Sequence, residues 1–304
     1  MQATEAGQRR TGILLYLLGV FLFAANDALG KWLVADYSVG EVMMVRSIGG
    51  VAILVTLAKI QGQPLLVAGQ WGLQIARIIF FTLDTYCFFS GVQGLPLADV
   101  MTFYMAAPLI VTALSGPLLG EHVGPRRWAA VLLGFVGVVI ALAPTSAAVS
   151  PYAFIALAGA FMFALALVIT RKLRDNHWLP LVTWQFVGAG VVGAAASPFG
   201  WLMPDMTDIG LMLLIGIVSS FCFICVTRAL ALTPASLLAP FQYTAIVWAG
   251  IMGWLVWRDV PTPRILAGNA IIIACGLFVY LRERQLGLLS ESRAEPGTVL
   301  SRDH

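Results

Sequence analysis

Gly19–Leu33 reads GVFLFAANDALGKWL. The stretch is apolar enough to sit in a bilayer, yet it carries Asn26, Asp27 and Lys31. Asp27 and Lys31 stand four residues apart and so share one face of a helix. A charge inside a membrane helix costs about 3 kcal/mol or more, so it is usually turned from lipid, paired and functional. The same pattern returns at Gly159–Leu173, GAFMFALALVITRKL, without the acid. A repeated scaffold and an unrepeated charge are the two facts that the remaining sequence must explain.

The chain has 304 residues, 60% hydrophobic and 11% charged, with a mean hydropathy of +0.89. Soluble domains carry about 25% charged residues. This composition cannot enclose a water-soluble core, so an all-α integral membrane protein is expected. The net charge of +3 argues against nucleic acid as a partner. The cysteines Cys87, Cys222, Cys225 and Cys275 lie in apolar runs, and Cys222 and Cys225 have CxxC spacing without a second pair. They read as small buried side chains, and no metal site or cofactor is expected. Arg9 and Arg10 precede a run too long for a signal peptide, so a retained first span is expected.

Windows of about 20 apolar residues fall at 12–34, 39–59, 71–91, 96–119, 127–144, 151–171, 179–200, 208–230, 234–257 and 264–282. Their length excludes barrel strands. Lys and Arg concentrate in alternate loops (Arg9, Arg10, Lys59, Arg126, Arg127, Arg171, Lys172, Arg174, Arg228, Arg282, Arg284), which predicts cytoplasmic N- and C-termini. Gly19-x-Phe21-x-Phe23-Ala24 matches Gly159-x-Phe161-x-Phe163-Ala164, and Glu121-x-x-x-Pro125 resembles Asp259-x-x-x-Pro263. Ten transmembrane helices thus form two halves of five. An odd number of spans inverts the second copy, an arrangement typical of secondary transporters. The expected units are a cytoplasmic N-terminus at 1–11, a first repeat at 12–144, a second at 151–282 and a disordered cytoplasmic tail at 283–304.

Gly-Leu-Pro-Leu-Ala at 94–98, Pro-Leu-Leu-Gly-Glu at 117–121 and Ala-Pro-Phe-Gln-Tyr at 239–243 occur in the order seen in the EamA family of the drug/metabolite transporter superfamily. The chain resembles that family over about residues 12–282. The resemblance implies a bacterial inner-membrane carrier of a small organic metabolite, with a central cavity lined by the first four helices of each half. Ala25-Asn26-Asp27, Lys31, Glu41-Val42, Arg46 and Arg77 are similar to the pattern of bacterial S-adenosylmethionine uptake proteins. Gln242 departs from it, because that group has an arginine there. Riboflavin-type vitamins and drug-like amines are alternative substrates within the family. The implied partners are a small-molecule substrate and the lipid bilayer, with room for a homodimer.

A rise of about 1.5 Å per residue puts Asp27, Arg46 and Asp84 in one layer, roughly 10 Å below the outer edge. Lys31, Glu41 and Asp99 lie nearer the mouth. The second-half counterparts are uncharged: Leu167 for Asp27, Gln185 for Arg46, Phe221 for Asp84 and Ser236 for Asp99. The layer reads either as a substrate and proton site or as a fixed strut between helices. Pro108 and Pro240 break the fourth and ninth spans near Tyr104, Gln242, Tyr243 and Trp248, and the three rings among these suit an aromatic or cationic group. The expected substrate-binding set is therefore Asp27, Arg46, Asp84, Tyr104, Gln242, Tyr243 and Trp248. Asn26, Lys31 and Asp99 are expected to gate or couple. Lys31 is expected to snorkel to the surface, and Arg77 to anchor at the inner interface. Glu121 and Asp259, at helix C-termini, are expected to bond the start of the following helix.

No catalytic residue is expected. The sequence holds no DxxxD, HxxxxD or HExxH arrangement for a lipid enzyme, and no GxxxxGK[ST] loop for ATP. Transport would draw on a gradient or on exchange. The other classes weighed are a membrane-embedded lipid enzyme and a non-transporting subunit.

Overall fold

The computed structural model describes residues 2–65, 69–119, 124–142, 150–173, 176–232 and 241–293. Within them the chain is all-helical: α1 (Gln2–Asp36), α2 (Val39–Gln61), α3 (Trp71–Gly94), α4 (Leu97–Tyr104), α5 (Ala107–Leu119), α6 (Pro125–Leu142), α7 (Pro151–Lys172), α8 (Trp178–Ala196), α9 (Met206–Leu232), α10 (Thr244–Trp257) and α11 (Pro263–Arg293). Six helices are long and apolar enough to cross a membrane, and four more are apolar but shorter. Side chains such as Leu132, Val139 and Val191 are exposed on the outer faces, while Leu33, Val42 and Ile215 are buried. Apolar residues therefore cover both the outside and the core, as a lipid solvent requires.

Local chemistry sets the ends. Ser38 caps α2 by accepting from the Glu41 backbone N–H at 3.2 Å. Gly62, at φ 61°, closes α2 in the left-handed conformation. Pro151 starts α7, where its missing donor costs nothing. α4 stops at Tyr104, and α5 begins at Ala107, one residue before Pro108. The expected break of the fourth span is thus present. Pro240 and Ser236, at the corresponding break in the second half, lie outside the described residues, as does Glu121. The described helices extend beyond the expected spans at both ends: α1 is helical from Gln2 and α11 runs to Arg293.

The packing is reciprocal. α1, the first helix of one half, lies on α9, the third helix of the other; α7, the first helix of the second half, lies on α3. α5 contacts α7, α10 contacts α1, α2 pairs with α8, and α6 with α11. The repeated glycines carry this symmetry. Gly19 rests on Cys225 and Val226 of α9, and Gly159 on Cys87 of α3 and the Tyr104 hydroxyl. The repeated phenylalanines follow: Phe23 meets Phe223 at 5.1 Å between ring centroids, and Phe163 meets Phe81 at 6.1 Å. The glycine register pairs Asp84 with Cys222, one place from the Phe221 read from the sequence.

α2 is locked against α8 and α9 by backbone contact. A Cβ on Gly216 would fall on the Arg46 carbonyl, one on Gly49 on the Leu213 carbonyl, and one on Gly193 on Met44 N and Gly40 O. Small residues permit such approaches between membrane helices. At the α1–α2 connection, the Tyr37 hydroxyl donates to the Asp208 carboxylate at 2.5 Å. That bond to a carboxylate, with burial second, pushes the Tyr37 phenol up to about 12.

Candidate functional site

Asp27 is reached from α1, Arg46 from α2 and Asp84 from α3. Each of the three lies within electrostatic influence of the other two. Asp27 and Arg46 are each half-buried although protein surrounds them deeply. They therefore face an internal space rather than lipid or packed core. Among the described residues the one salt bridge is Lys31–Asp259. Arg46 accordingly makes no ion pair at contact distance with either acid.

The Arg46 guanidinium is held by rings instead. It sits 5.2 Å from the Phe89 centroid and 5.7 Å from that of Phe186. Its Nε is buried without a hydrogen-bond partner. Cation–π contact holds a guanidinium in place while leaving its in-plane donors unused. Gly50 admits the Phe186 ring beside α2, and Gly30 admits Phe89 beside α1. Phe186 continues to Phe223 at 6.4 Å and thence to Phe23, so a line of rings borders the layer. Sequence reasoning missed Phe89, Phe186 and Phe223. The Gly-x-Phe-x-Phe-Ala repeat was the available signal, since Phe23 is the ring that meets Phe223.

Asp84 is tethered. The Tyr104 hydroxyl donates to its Oδ1 at 2.7 Å, and the Tyr104 ring packs edge-on against Phe88 at 5.4 Å. Asn26 lies beside the Asp27 carboxylate, and its own side-chain oxygen is buried without a partner. Cys222 of α9 comes within electrostatic influence of both Asp27 and Arg46. The layer thus assembles Asn26, Asp27, Arg46, Asp84, Tyr104 and Cys222.

Other expected site residues lie apart. Lys31 does not snorkel freely. Its ammonium donates to Asp259 Oδ2 at 3.2 Å and sits 4.6 Å from the Trp257 ring centroid. Asp259 therefore pairs with α1, correcting the expectation that it bonds the following helix. Asp99 is within electrostatic influence of both, so Lys31, Asp99 and Asp259 form a second cluster. Glu41 goes elsewhere: its Oε2 accepts from Leu202 N at 3.3 Å, while Oε1 has no partner. Trp248 packs edge-on against Phe21 at 5.0 Å, beside Tyr16 and Val20. The Tyr243 hydroxyl lies over Gly276 of α11, which turns it toward the supporting helix. Gln242 is half-buried.

Arg77 is not an interface anchor. It is 3% exposed and donates to Thr170 Oγ1 at 2.8 Å, to Leu181 O at 2.8 Å and to Gln185 Oε1 at 3.2 Å. It ties α3 to α7 and α8, and Gln185, the counterpart of Arg46, serves as one of its acceptors.

The described residues contain no group of His, Cys, Asp or Glu able to hold a metal ion. The layer can accept a cationic group on its two carboxylates and an anionic one on Arg46. The chain is 29% identical over 272 residues to the pseudopaline exporter CntI of Pseudomonas aeruginosa, covering 88% of this chain and 95% of that one. It is 24% identical over 277 residues to an S-adenosylmethionine uptake transporter of Rickettsia bellii, covering 90% and 94%. A riboflavin transporter of Rhizobium johnstonii is also 24% identical, covering 92% and 94%. A crystal structure with 17% sequence identity superposes with a TM-score of 0.66 over 90% of this chain and 97% of the other, a likeness of fold alone. The model of the EamA-like transporter family matches residues 10–143 and again 150–281. The chain belongs to the EamA-like transporter family: a multi-pass helical membrane transporter, not an enzyme, with one family domain in each half.

Proposed function

We propose that the chain is a secondary transporter of a small zwitterionic or cationic metabolite, amino-acid-like or S-adenosylmethionine-like, driven by a gradient or by exchange. It would cross a bacterial inner membrane ten times as two inverted five-helix repeats, 12–144 and 151–282, with both termini cytoplasmic. The carrying observation is the layer of Asp27, Arg46 and Asp84, whose charges share one internal space without a contact ion pair. An α-amino acid headgroup has the complementary chemistry: its ammonium suits the two carboxylates, and its carboxylate suits the donors of Arg46. The reciprocal helix packing supports the inverted repeat, and the named transporters among the relatives support the substrate class.

Purified protein in liposomes tests the reading. Labelled S-adenosylmethionine or an amino acid should move saturably, and Asp27→Asn and Arg46→Gln should each abolish the movement. Transport unaffected by both changes would make the layer structural. A flat vitamin of riboflavin type is the second reading, favoured by the line of rings from Phe89 to Phe23. Riboflavin moving while the zwitterions do not would select it.

A further inference from the structure

The two repeat glycines sit at matching helix crossings, and what fills the crossings differs. Gly19 of α1 lies on α9, where an added Cβ would stand 3.0 Å from Val226 Cγ2 and 3.3 Å from Cys225 Cβ. Gly159 of α7 lies on α3, where an added Cβ would stand 2.9 Å from Cys87 Cβ and would fall on the Tyr104 hydroxyl. Cys87 and Cys225 hold the same place in the two crossings. At Gly19 a valine methyl fills the remaining gap. At Gly159 the filler is a phenol from a third helix, α4, admitted between α3 and α7 because glycine has no side chain there.

Tyr104 is the last residue of α4, at the break that precedes α5. Its ring is held on two sides. Phe88 of α3 meets it edge-on at 5.4 Å, and Phe163 of α7 meets it tilted at 6.1 Å. Phe163 stands four residues after Gly159, so the two share one face of α7. Phe163 backs the ring, and the bare backbone at Gly159 lets the oxygen through. That oxygen reaches Asp84, with Oδ1 at 2.7 Å and the backbone carbonyl at 3.3 Å. Tyr104 and Asp84 are each only 9% exposed, so bulk water does not stand in for the donor. A hydrogen bond to a carboxylate in such a place fixes the rotamer of the acid.

We propose that Gly159 and Phe163 are positioning residues: from the second half they set the Tyr104 hydroxyl on Asp84 Oδ1, and so present Oδ2 to the cationic group of the substrate. The proposal rests on the transport reading above and adds which half aims the acid. Asp84 belongs to the first repeat, and its orientation to the second. α7 packs on α3, α4 and α5, so a shift of α7 along α3 would carry both positioning residues away from the phenol and release the carboxylate.

Raman spectroscopy of the full chain in liposomes tests the positioning without a ligand, because the tyrosine doublet reports whether a phenol donates a hydrogen bond. The chain has seven tyrosines, so subtracting the spectrum of Tyr104→Phe isolates Tyr104. The difference should show a strong donor. The same subtraction in a Gly159→Ala background should show the donor lost, and in a Gly19→Ala background should show it intact. Gly159→Ala should also lower the melting temperature. Adding Tyr104→Phe should recover part of that loss, since the new methyl no longer meets a hydroxyl, while the contact with Cys87 remains. This rescue keeps the test sound if Gly159→Ala folds poorly. A donor that survives Gly159→Ala, a donor lost equally in Gly19→Ala, or a stability loss no smaller without the hydroxyl would overturn the positioning.

A second arm uses S-adenosylmethionine as the probe. Its affinity should fall by up to about tenfold in Tyr104→Phe, because a released carboxylate must be ordered again on binding. Gly159→Ala should cost a similar factor, and the double variant no more than either, since both changes remove one bond. Losses that add would overturn the positioning. Transport of the probe with unchanged affinity in Tyr104→Phe would overturn the aiming of Asp84 and leave the transport reading standing. The expected spectra with no binding or flux of any zwitterion would leave the positioning standing and reject the substrate reading.

Discussion

Arg46 is held in an uncommon way for a membrane arginine. Ring faces flank it, its Nε has no partner, and two acids stand nearby without touching it. Lysine would keep the charge but lose the planar stack. Two cation–π faces at about 1 kcal/mol each support the fold whether or not a ligand is bound. Arg46→Lys is therefore expected to lower the melting temperature modestly and, by removing the planar pair of donors, to weaken substrate binding as well, read by ligand-dependent thermal shift. Arg77, more deeply buried, should behave in the opposite way. Arg77→Leu strands three acceptors on two other helices and is expected to cost about 2–4 kcal/mol of stability. The ligand-induced shift should survive in whatever fraction folds. An interface anchor would have shown the reverse, a small loss. Helical rise put Asp27, Arg46 and Asp84 at one height, and the structure brings the three within electrostatic influence of one another. The sequence contained nothing about azimuth, which is why Arg77 was assigned to the interface and Tyr243 to the site. Which way a side chain turns is settled by neighbours 93 to 108 residues away in the case of Arg77.

At the scale of elements, two of the side-chain ties between the halves involve a buried or half-buried cation. One is Arg77 between α3, α7 and α8. The other is Lys31 on α1 with Asp259 after α10, partners separated by 228 residues. Their side chains are 12% and 31% exposed, so the pair is worth only about 0.5–1 kcal/mol. Its partner choice is testable all the same. Asp259→Lys should lower thermal stability, and adding Lys31→Asp should restore it, giving a coupling energy of that size in a double-mutant cycle. No coupling would place Lys31 free at the surface, as its sequence position suggested. The break after Tyr104, by contrast, was legible, because Pro108 removes a backbone donor wherever it stands. The glycine crossings of α2 were not, since a glycine announces a close approach without naming the partner.

For the molecule as a whole, the repeat was readable from Gly-x-Phe-x-Phe-Ala alone, and both copies turn the same residues toward the opposite half. Only the first copy carries the charged layer. Gln185, standing where symmetry would put a second arginine, instead accepts from Arg77. The halves are alike as scaffold and unlike as chemistry, a division that composition hides and position reveals. Gly216 offers a test at this scale. Gly216→Ala would drive a methyl into the Arg46 carbonyl, part α9 from α2, and is expected to cost about 1–3 kcal/mol together with substrate affinity. Gly210→Ala, with nothing within 4 Å of the added carbon, should be silent in both measurements.

The crossing at Gly216 has a mechanical side. Most helix contacts can slide, because side chains change rotamer as they pass. Where one backbone lies directly on another there is no rotamer to change, so the crossing resists slipping. α2 and α9 meet in this way at Gly216 and again at Gly49, beside the residue whose guanidinium faces the internal space. A carrier rocking about that crossing would swing its walls through large arcs while Arg46, beside it, scarcely moved.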